Sequence, residues 1–342
     1  MNRRFAYDCP VRILVTGSSG QIGTNLSLRM LADGHEVFGV DKRPNAWTDA
    51  FPYLLQDLSM QHAELDFPAA DAVVHLAAHA KVHELVLHPK RALENAIITF
   101  NVLEYARQRR LPVVYASSRE VYGDVHRFDE YVEASADFAF TESTYSASKI
   151  AGEAFVYSYA RCYGLPYLVF RFSNVYGRYD NDLHRMVRVL PLFTHRLRRG
   201  EPITIYGGEE KTLDFTYVDD CVDGIARGVE ALVTGSVVNE TVNLAYGQGN
   251  TLVHAANLIA AELGVEPQAT IAPPLLGEVT HYVAHLEKAR TLLGYEPQVP
   301  LEEGIARMVA WFLEHRAAHP EEEELALADA DSSQLGTKTY AA

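Results

Sequence analysis

Tyr145 and Lys149 stand four residues apart in TYSASKIAGE, a spacing that puts both on one face of a helix. An ammonium beside a phenol favours the phenolate and lowers its pKa from about 10 toward the working range. A phenolate can take the proton of an alcohol as a general base. If the same carbon loses hydride, the alcohol becomes a ketone. Ser118 sits in ASSREVYGD, directly after the apolar run LPVVY. A hydroxyl at the end of a buried strand could hold the alcohol oxygen in line. Arg119 and Glu120 follow at the same place.

A hydride needs an acceptor, and VTGSSGQIG supplies the site for one. Gly17, Gly20 and Gly23 are spaced G-x-x-G-x-x-G between a strand-like and a helix-like segment. Glycines there allow a tight turn and a close approach of backbone to a pyrophosphate, and the helix N-terminus offers it free N–H groups. Asp41 ends the next strand. Its carboxylate can accept both hydroxyls of an adenosine ribose and repels a 2′-phosphate, which favours NAD over NADP. Lys42 and Arg43 directly behind it pull the other way.

The elements that must position these residues are legible as a rhythm. From residue 11 to about 120, VRILVTG, HEVFGVD, DAVVHLAA and LPVVYASS alternate with helical spacings in QIGTNLSLRMLADG and ALENAIITFNVLEYARQR. That alternation predicts an α/β fold, a Rossmann-type doubly wound parallel sheet. Its near-continuous apolar strands are those of a sheet buried on both faces. The Rossmann domain is expected over 11–177, with 213–245 returning to it. A smaller mixed α/β substrate lobe is expected mainly over 178–314, and an acidic tail, disordered or loosely helical, over 315–342.

Composition excludes several roles. The chain has 342 residues and a net charge of −15, which disfavours nucleic acid as a partner. Three scattered cysteines form no disulfide framework or thiolate zinc site. The N-terminal stretch lacks a secretory signal, and no apolar run reaches the roughly 18 residues of a membrane span. A cytoplasmic protein with no membrane partner is expected. His79 and His83, four apart in HAKVHE, lack a third ligand, so no metal is expected.

Taken in order, Gly17-x-x-Gly20-x-x-Gly23, HLAA at 75–78, SSREVYG at 117–123, Tyr145-x-x-x-Lys149, RFSNVYG at 171–177 and LDFTYVDD at 213–220 resemble an extended short-chain dehydrogenase/reductase of the NAD-dependent nucleotide-sugar epimerase/dehydratase group. The resemblance implies Ser118, Tyr145 and Lys149 as the catalytic set. It implies a cofactor site of Gly17, Gly20, Gln21, Ile22, Gly23, Asp41, Lys42, Asp57, Leu58, Leu76, Ala77, Ala78, Lys81, Asn95 and Ser117, together with Tyr145 and Lys149. It places Asn174 on the substrate diphosphate and Tyr206 on the nucleobase wall. It also implies a nucleotide-sugar substrate, a UDP-sugar before others, and a homodimer built partly on the helix that carries Tyr145. Two departures stand out. Leu213 replaces the arginine that usually grips the diphosphate, and LLGE at 275–278 replaces RPGE. Arg178, Arg185, Arg188 and Lys211 are the cations nominated to neutralise the diphosphate, with plain surface charge the competing reading for each.

The resemblance implies oxidation of the sugar at C4, and the fate of the ketone defines the enzyme. Dehydratases of this group carry Asp-Glu after the catalytic hydroxyl residue. Here the pair is Arg119-Glu120, and a guanidinium gives up no proton at working pH. A 4-epimerase is therefore expected, on UDP-glucose/UDP-galactose or UDP-glucuronate/UDP-galacturonate. Glu120 keeps UDP-glucuronate decarboxylase as the alternative, ahead of the 4,6-dehydratase. Arg119 can meet a hexuronate carboxylate through a paired contact, or simply pair with Glu120 or the scaffold. A sensor or scaffold that merely binds NAD is the non-enzyme alternative, disfavoured because it needs neither Tyr145 nor Lys149.

Overall fold

Apolar side chains fill the strands so completely that every residue of VVYASS is buried, and the serines at its end go in with the valines. The computed structural model describes residues 10–60, 65–123, 132–136, 141–180, 188–277 and 279–319; Arg185 lies outside them, as does residue 278 of LLGE. β1 (Arg12–Thr16) enters α1 (Gln21–Ala32) through the glycine turn, and the chain returns in β2 (Glu36–Asp41). Then come β3 (Tyr53–Leu55), β4 (Ala72–His75), α2 (Val82–Leu87), α3 (Lys90–Arg109) and β5 (Val113–Ser118). A short 3-10 helix, Arg119–Tyr122, leaves the end of β5. α4 (Thr144–Tyr163) starts at Ser143, whose hydroxyl accepts from the Ser146 N–H at 3.1 Å, and stops at Gly164 in the left-handed region, a cap at each end.

β6 (Tyr167–Phe172) leads to β7 (Asn174–Tyr176), α5 (Val189–Arg198), β8 (Ile203–Tyr206), β9 (Thr212–Tyr217) and α6 (Val218–Thr234). β10 (Glu240–Leu244), β11 (Gly249–Thr251), α7 (Leu252–Leu263), β12 (Ala269–Ala272), α8 (Glu287–Leu293) and α9 (Leu301–Ala318) complete the described chain. The main sheet has seven strands among the described residues, ordered β10-β6-β5-β4-β1-β2-β3 and parallel throughout. Strand order reverses between β1 and β4, the kind of crevice in which open α/β sheets bind ligands at their carboxyl ends. β10 pairs with β6, so the chain does come back to the main sheet after the interval of smaller strands.

The smaller sheets are β11-β9-β7 and β12-β8. Their residues share one core with the main sheet: Ile13 and Phe170 belong to the same buried cluster as Ile203, Ile205 and Ile259. A second cluster on the opposite face joins Leu14 and Val73 to Val102, Tyr115 and Val156 of the flanking strands and helices. β3 and α2 have no counterpart in the sequence reading, because three and six residues are too few to show a period. α9 continues to Ala318, so the segment expected to be disordered or loosely helical begins inside a helix at His315.

One cluster of rings fastens α9 to the loop behind β2. Trp47 lies 5.5 Å from Tyr179, 5.6 Å from Trp311 and 5.2 Å from His315, and the Trp311 and His315 rings stack at 10°. Asn45 holds the same loop to the glycine turn, donating to the Ser18 carbonyl at 3.2 Å and to Thr24 Oγ1 at 3.1 Å.

Candidate active site

The glycine turn is packed backbone against backbone. Gly17 has φ +75°, and a Cβ there would stand 2.7 Å from the Ala77 nitrogen; one on Gly23 would collide with the Gly17 carbonyl. The turn is therefore closed on the Leu76–Ala78 loop in a way only glycine permits. α1 begins at Gly20 with no side-chain cap and no acid in its first turn, so its leading N–H groups remain for an anion. Ile22 packs on the core just inside the helix. Asp41 is held by the Ser19 N–H and the Arg43 N–H, both at 3.0 Å, and is buried at the carboxyl end of β2. Lys42 points to solvent. The donors, the side-chain-free glycine turn and the carboxylate fit a dinucleotide whose ribose is a free diol.

Around that crevice the expected residues divide. Asp57 accepts from the Ser59 N–H at 2.9 Å and its hydroxyl at 2.7 Å. Burial pushes its carboxyl up, but the Ser59 bonds win and hold it below its ordinary value. The Leu58 side chain is in the core, leaving only its backbone near the crevice, and its carbonyl accepts from Asn101 at 2.8 Å. Lys81 precedes α2, with burial and then Arg91 lowering its ammonium pKa. Asn95 acts as a brace: it accepts from the His79 N–H at 2.7 Å and donates to the His79 carbonyl at 3.0 Å and to Ser148 Oγ at 3.1 Å. It ties the loop after β4 to α4. Gln21 is equally committed, donating to the Gly177 carbonyl at 3.1 Å and accepting from Arg188 at 2.9 Å.

Ser118, Tyr145 and Lys149 meet at the carboxyl end of β5, and all three are buried. The Ser118 hydroxyl accepts from the Glu120 N–H at 3.2 Å and, next to the Tyr145 phenol, favours its ionised form. Lys149 Nζ donates to the Ala116 carbonyl at 2.9 Å and lies 5.9 Å from the Tyr145 ring centre. The expected lowering of the phenol pKa by Lys149 is not what the protein's own groups produce. Burial pushes the phenol up to about 12; Ser118, Arg188 and Arg119 pull it down, and Glu120 pushes it up. Burial also brings Lys149 down to about 8 against the pull of Glu153.

The Ser117 hydroxyl, expected at the cofactor, donates to Glu153 Oε1 at 2.6 Å. Glu153 is the residue the sequence reading missed. It is eight residues after Tyr145 and four after Lys149, on the same helix face, and Arg171 grips it with two bonds of 2.9 and 2.7 Å. Tyr157 donates to it as well, at 2.8 Å. The pair is fully buried, and Arg171 lies over the Tyr122 ring at 4.9 Å. The 145–149–153 spacing was the available signal.

On the substrate side, Arg119 Nη2 pairs with Glu120 Oε1 at 2.9 Å and donates to Asn174 Oδ1 at 3.2 Å. Asn174 in turn donates to the Asp214 carbonyl at 3.3 Å. Tyr206 ends β8 half exposed. Two nominated cations are engaged within the protein. Arg178 pairs with Asp219 at 2.8 Å on the surface, and Arg188 donates to Gln21 and to the Val175 carbonyl while facing Asp180 at 3.5 Å. Lys211 is buried under the Gly207 turn.

A parallel sheet with a glycine-turn crevice and Ser118, Tyr145 and Lys149 at its mouth is the frame of a dinucleotide-dependent enzyme. The sequence model described as NAD dependent epimerase/dehydratase family matches residues 13–245, and the chain belongs to that family. It is 31% identical over 323 residues to UDP-glucuronic acid decarboxylase 1 of Xenopus tropicalis, covering 90% of this chain and 74% of that one. It is 30% identical over 316 residues to UDP-glucose 4-epimerase of Mycolicibacterium smegmatis, covering 88% and 98%. The solved structure of UDP-glucose 4-epimerase of Thermus thermophilus in complex with NAD matches with a TM-score of 0.79 at 30% identity, over 88% of this chain and 98% of that one. The protein is an NAD-dependent enzyme of this family.

Proposed function

We propose that the protein is a nucleotide-sugar 4-epimerase acting through a transient 4-keto sugar, on UDP-glucose/UDP-galactose or on UDP-glucuronate/UDP-galacturonate. The observation that carries this reading is the constellation at the end of β5: Ser118, Tyr145 and Lys149 together, followed by an ion-paired arginine where a dehydratase needs an acid. In this reading the Ser118 hydroxyl holds the C4 hydroxyl against Tyr145, which takes its proton. Bound NAD supplies the hydride acceptor and donor. Lys149 holds positive charge beside the phenol, fixed by the Ala116 carbonyl. The glycine turn with Gln21 and Ile22, Asp41 with Lys42, the Asp57–Leu58 segment, the Leu76–Ala78 loop and Lys81 hold the dinucleotide. Asn174 and Tyr206 receive the UDP moiety, with Lys211 the nominated cation nearest the Tyr206 strand. Asn95 and Ser117 act through the residues they brace.

The test is to incubate the protein with UDP-, dTDP- and GDP-sugars and follow products by NMR. Interconversion of a C4 epimer pair without net NAD consumption is expected; one equivalent of NADH per turnover would sink the reading. UDP-glucuronate decarboxylase is the second reading. Buried Glu120 and the relative of that name favour it, and CO2 released from UDP-glucuronate would establish it.

A homodimer is part of the same proposal. α3 and α4 pack side by side, and Leu93, Phe100 and Tyr163 stand exposed on them, with Phe100 against Phe155 at 6.3 Å. Such apolar side chains suit a partner copy. Phe100→Glu is expected to convert a dimer to a monomer in sedimentation. A wild-type protein that already sediments as a monomer refutes the dimer.

A further inference from the structure

We propose that Arg119 is a positioning residue that holds Glu120 as the inert half of a neutral ion pair, and that this pairing makes the site return its ketone as an epimer instead of losing CO2. The inference rests on the 4-keto reading above. Its basis is geometric. The Arg119–Glu120 contact is 2.9 Å, the two side chains are 11% and 4% exposed, and the 3-10 helix that carries them starts at Ser118, whose hydroxyl accepts the Glu120 N–H. The same Arg119 Nη2 also donates to Asn174 Oδ1, and the guanidinium stands 5.8 Å from the Tyr282 ring centre, so two side chains fix that end of it.

The chemistry follows from what a carboxyl can do in each state. A 4-keto hexuronate loses CO2 when its C5–carboxylate bond breaks and the electron pair enters the C4 carbonyl as an enolate. C5 then needs a proton, and return of the C4 hydride completes a UDP-pentose; the sum is UDP-hexuronate plus H+ giving UDP-pentose plus CO2. A buried glutamic acid could give that proton. An ionised one locked to a guanidinium cannot. With the neighbouring guanidinium removed, a buried carboxyl takes up a proton more readily.

The pair also balances charge at Tyr145. The groups facing the phenol are Ser118, Glu120 and Arg119 from the end of β5, Arg188 ahead of α5, the buried Tyr115 on β5, and Lys149 on the phenol's own helix. Glu120 disfavours the phenolate and Arg119 favours it.

The experiment compares Arg119→Gln, Glu120→Gln and the double variant with wild type, reading the pH dependence of kcat/KM and the CO2 released from UDP-glucuronate. Arg119→Gln should lose at least tenfold in rate at pH 7, recover at higher pH, and release at least tenfold more CO2 per turnover. Glu120→Gln should shift the profile to lower pH. The double variant should return the profile toward wild type and release no extra CO2, which a merely structural role for Arg119 would not do. Equal profiles for Arg119→Gln and the double variant, or unchanged CO2, overturn the proposal. If wild type turns over no sugar nucleotide, the 4-epimerase reading fails. The charge pair is then still judged by ultraviolet titration of the phenol, as the difference between each variant and its Tyr145→Phe counterpart. A phenol titration that Arg119→Gln leaves unmoved overturns it there too.

Discussion

Tyr145→Phe is expected to reduce turnover by about 10²–10⁴-fold, the range over which a positioned acid–base group acts, while the purified variant still carries NAD. In the proposed mechanism the phenol takes the alcohol proton, and the glycine turn and Asp41 that suit the dinucleotide do not depend on it. Phe keeps the ring and its packing on the buried face of α4. With the protein's own groups alone, burial pushes the phenol up to about 12, so at pH 7 the neutral phenol is the dominant form. The sign follows directly. A base with a raised pKa works better as pH rises, so wild-type kcat/KM should climb through the neutral range and the residual activity of the Phe variant should not. Steady-state rates across pH, with absorbance of bound dinucleotide as control, check both halves. A Phe variant with full activity and an unchanged pH profile would remove Tyr145 from the mechanism.

Arg171→Ala should cost about 3–5 kcal/mol of stability, the typical loss when one partner of a buried ion pair is removed. Glu153 would be left with the Ser117 and Tyr157 hydroxyls but no directly paired cation, and a buried carboxylate without one is the expensive state. Replacing both partners, as in Glu153→Gln with Arg171→Met, should recover much of the loss because no bare charge remains. Urea unfolding midpoints of wild type, single and double variants measure this. Turnover should fall further than stability alone predicts, since Glu153 shares a helix face with Tyr145 and Lys149 and holds Ser117, the neighbour of Ser118. A single variant no less stable than the double would show that the pair carries little.

The parts of this protein that were legible beforehand are those in which chemistry and local period coincide. The strands read from their apolar runs, the glycine turn from its spacing, and the Ser-Tyr-Lys set from a strand end and an i,i+4 pair. The parts that were not legible depend on partners distant in the chain. Arg188, nominated as a phosphate ligand, bonds to Gln21, 167 residues away. Arg178, nominated with it, pairs with Asp219 on α6. Ser117 lies one residue from Ser118, but strand alternation turns it to the opposite face, toward Glu153. For Arg119, pairing with Glu120 was the plainer of the two readings and is the contact observed. The sequence cannot rank a phenol's burial against a nearby ammonium, because burial is a property of the packed core.

The ring cluster behind β2 has a practical consequence. Trp47 and Trp311 are the chain's two tryptophans, and both belong to that cluster. Intrinsic emission from the whole protein is thus a single-site signal. It reports on the junction between α9 and the loop that begins just after Asp41, with His315 stacked on one indole as a built-in quencher candidate. A spectral change on adding dinucleotide would be read at the edge of the adenosine crevice without any label, and a change under mild denaturant would time the departure of the last helix separately from collapse of the sheet.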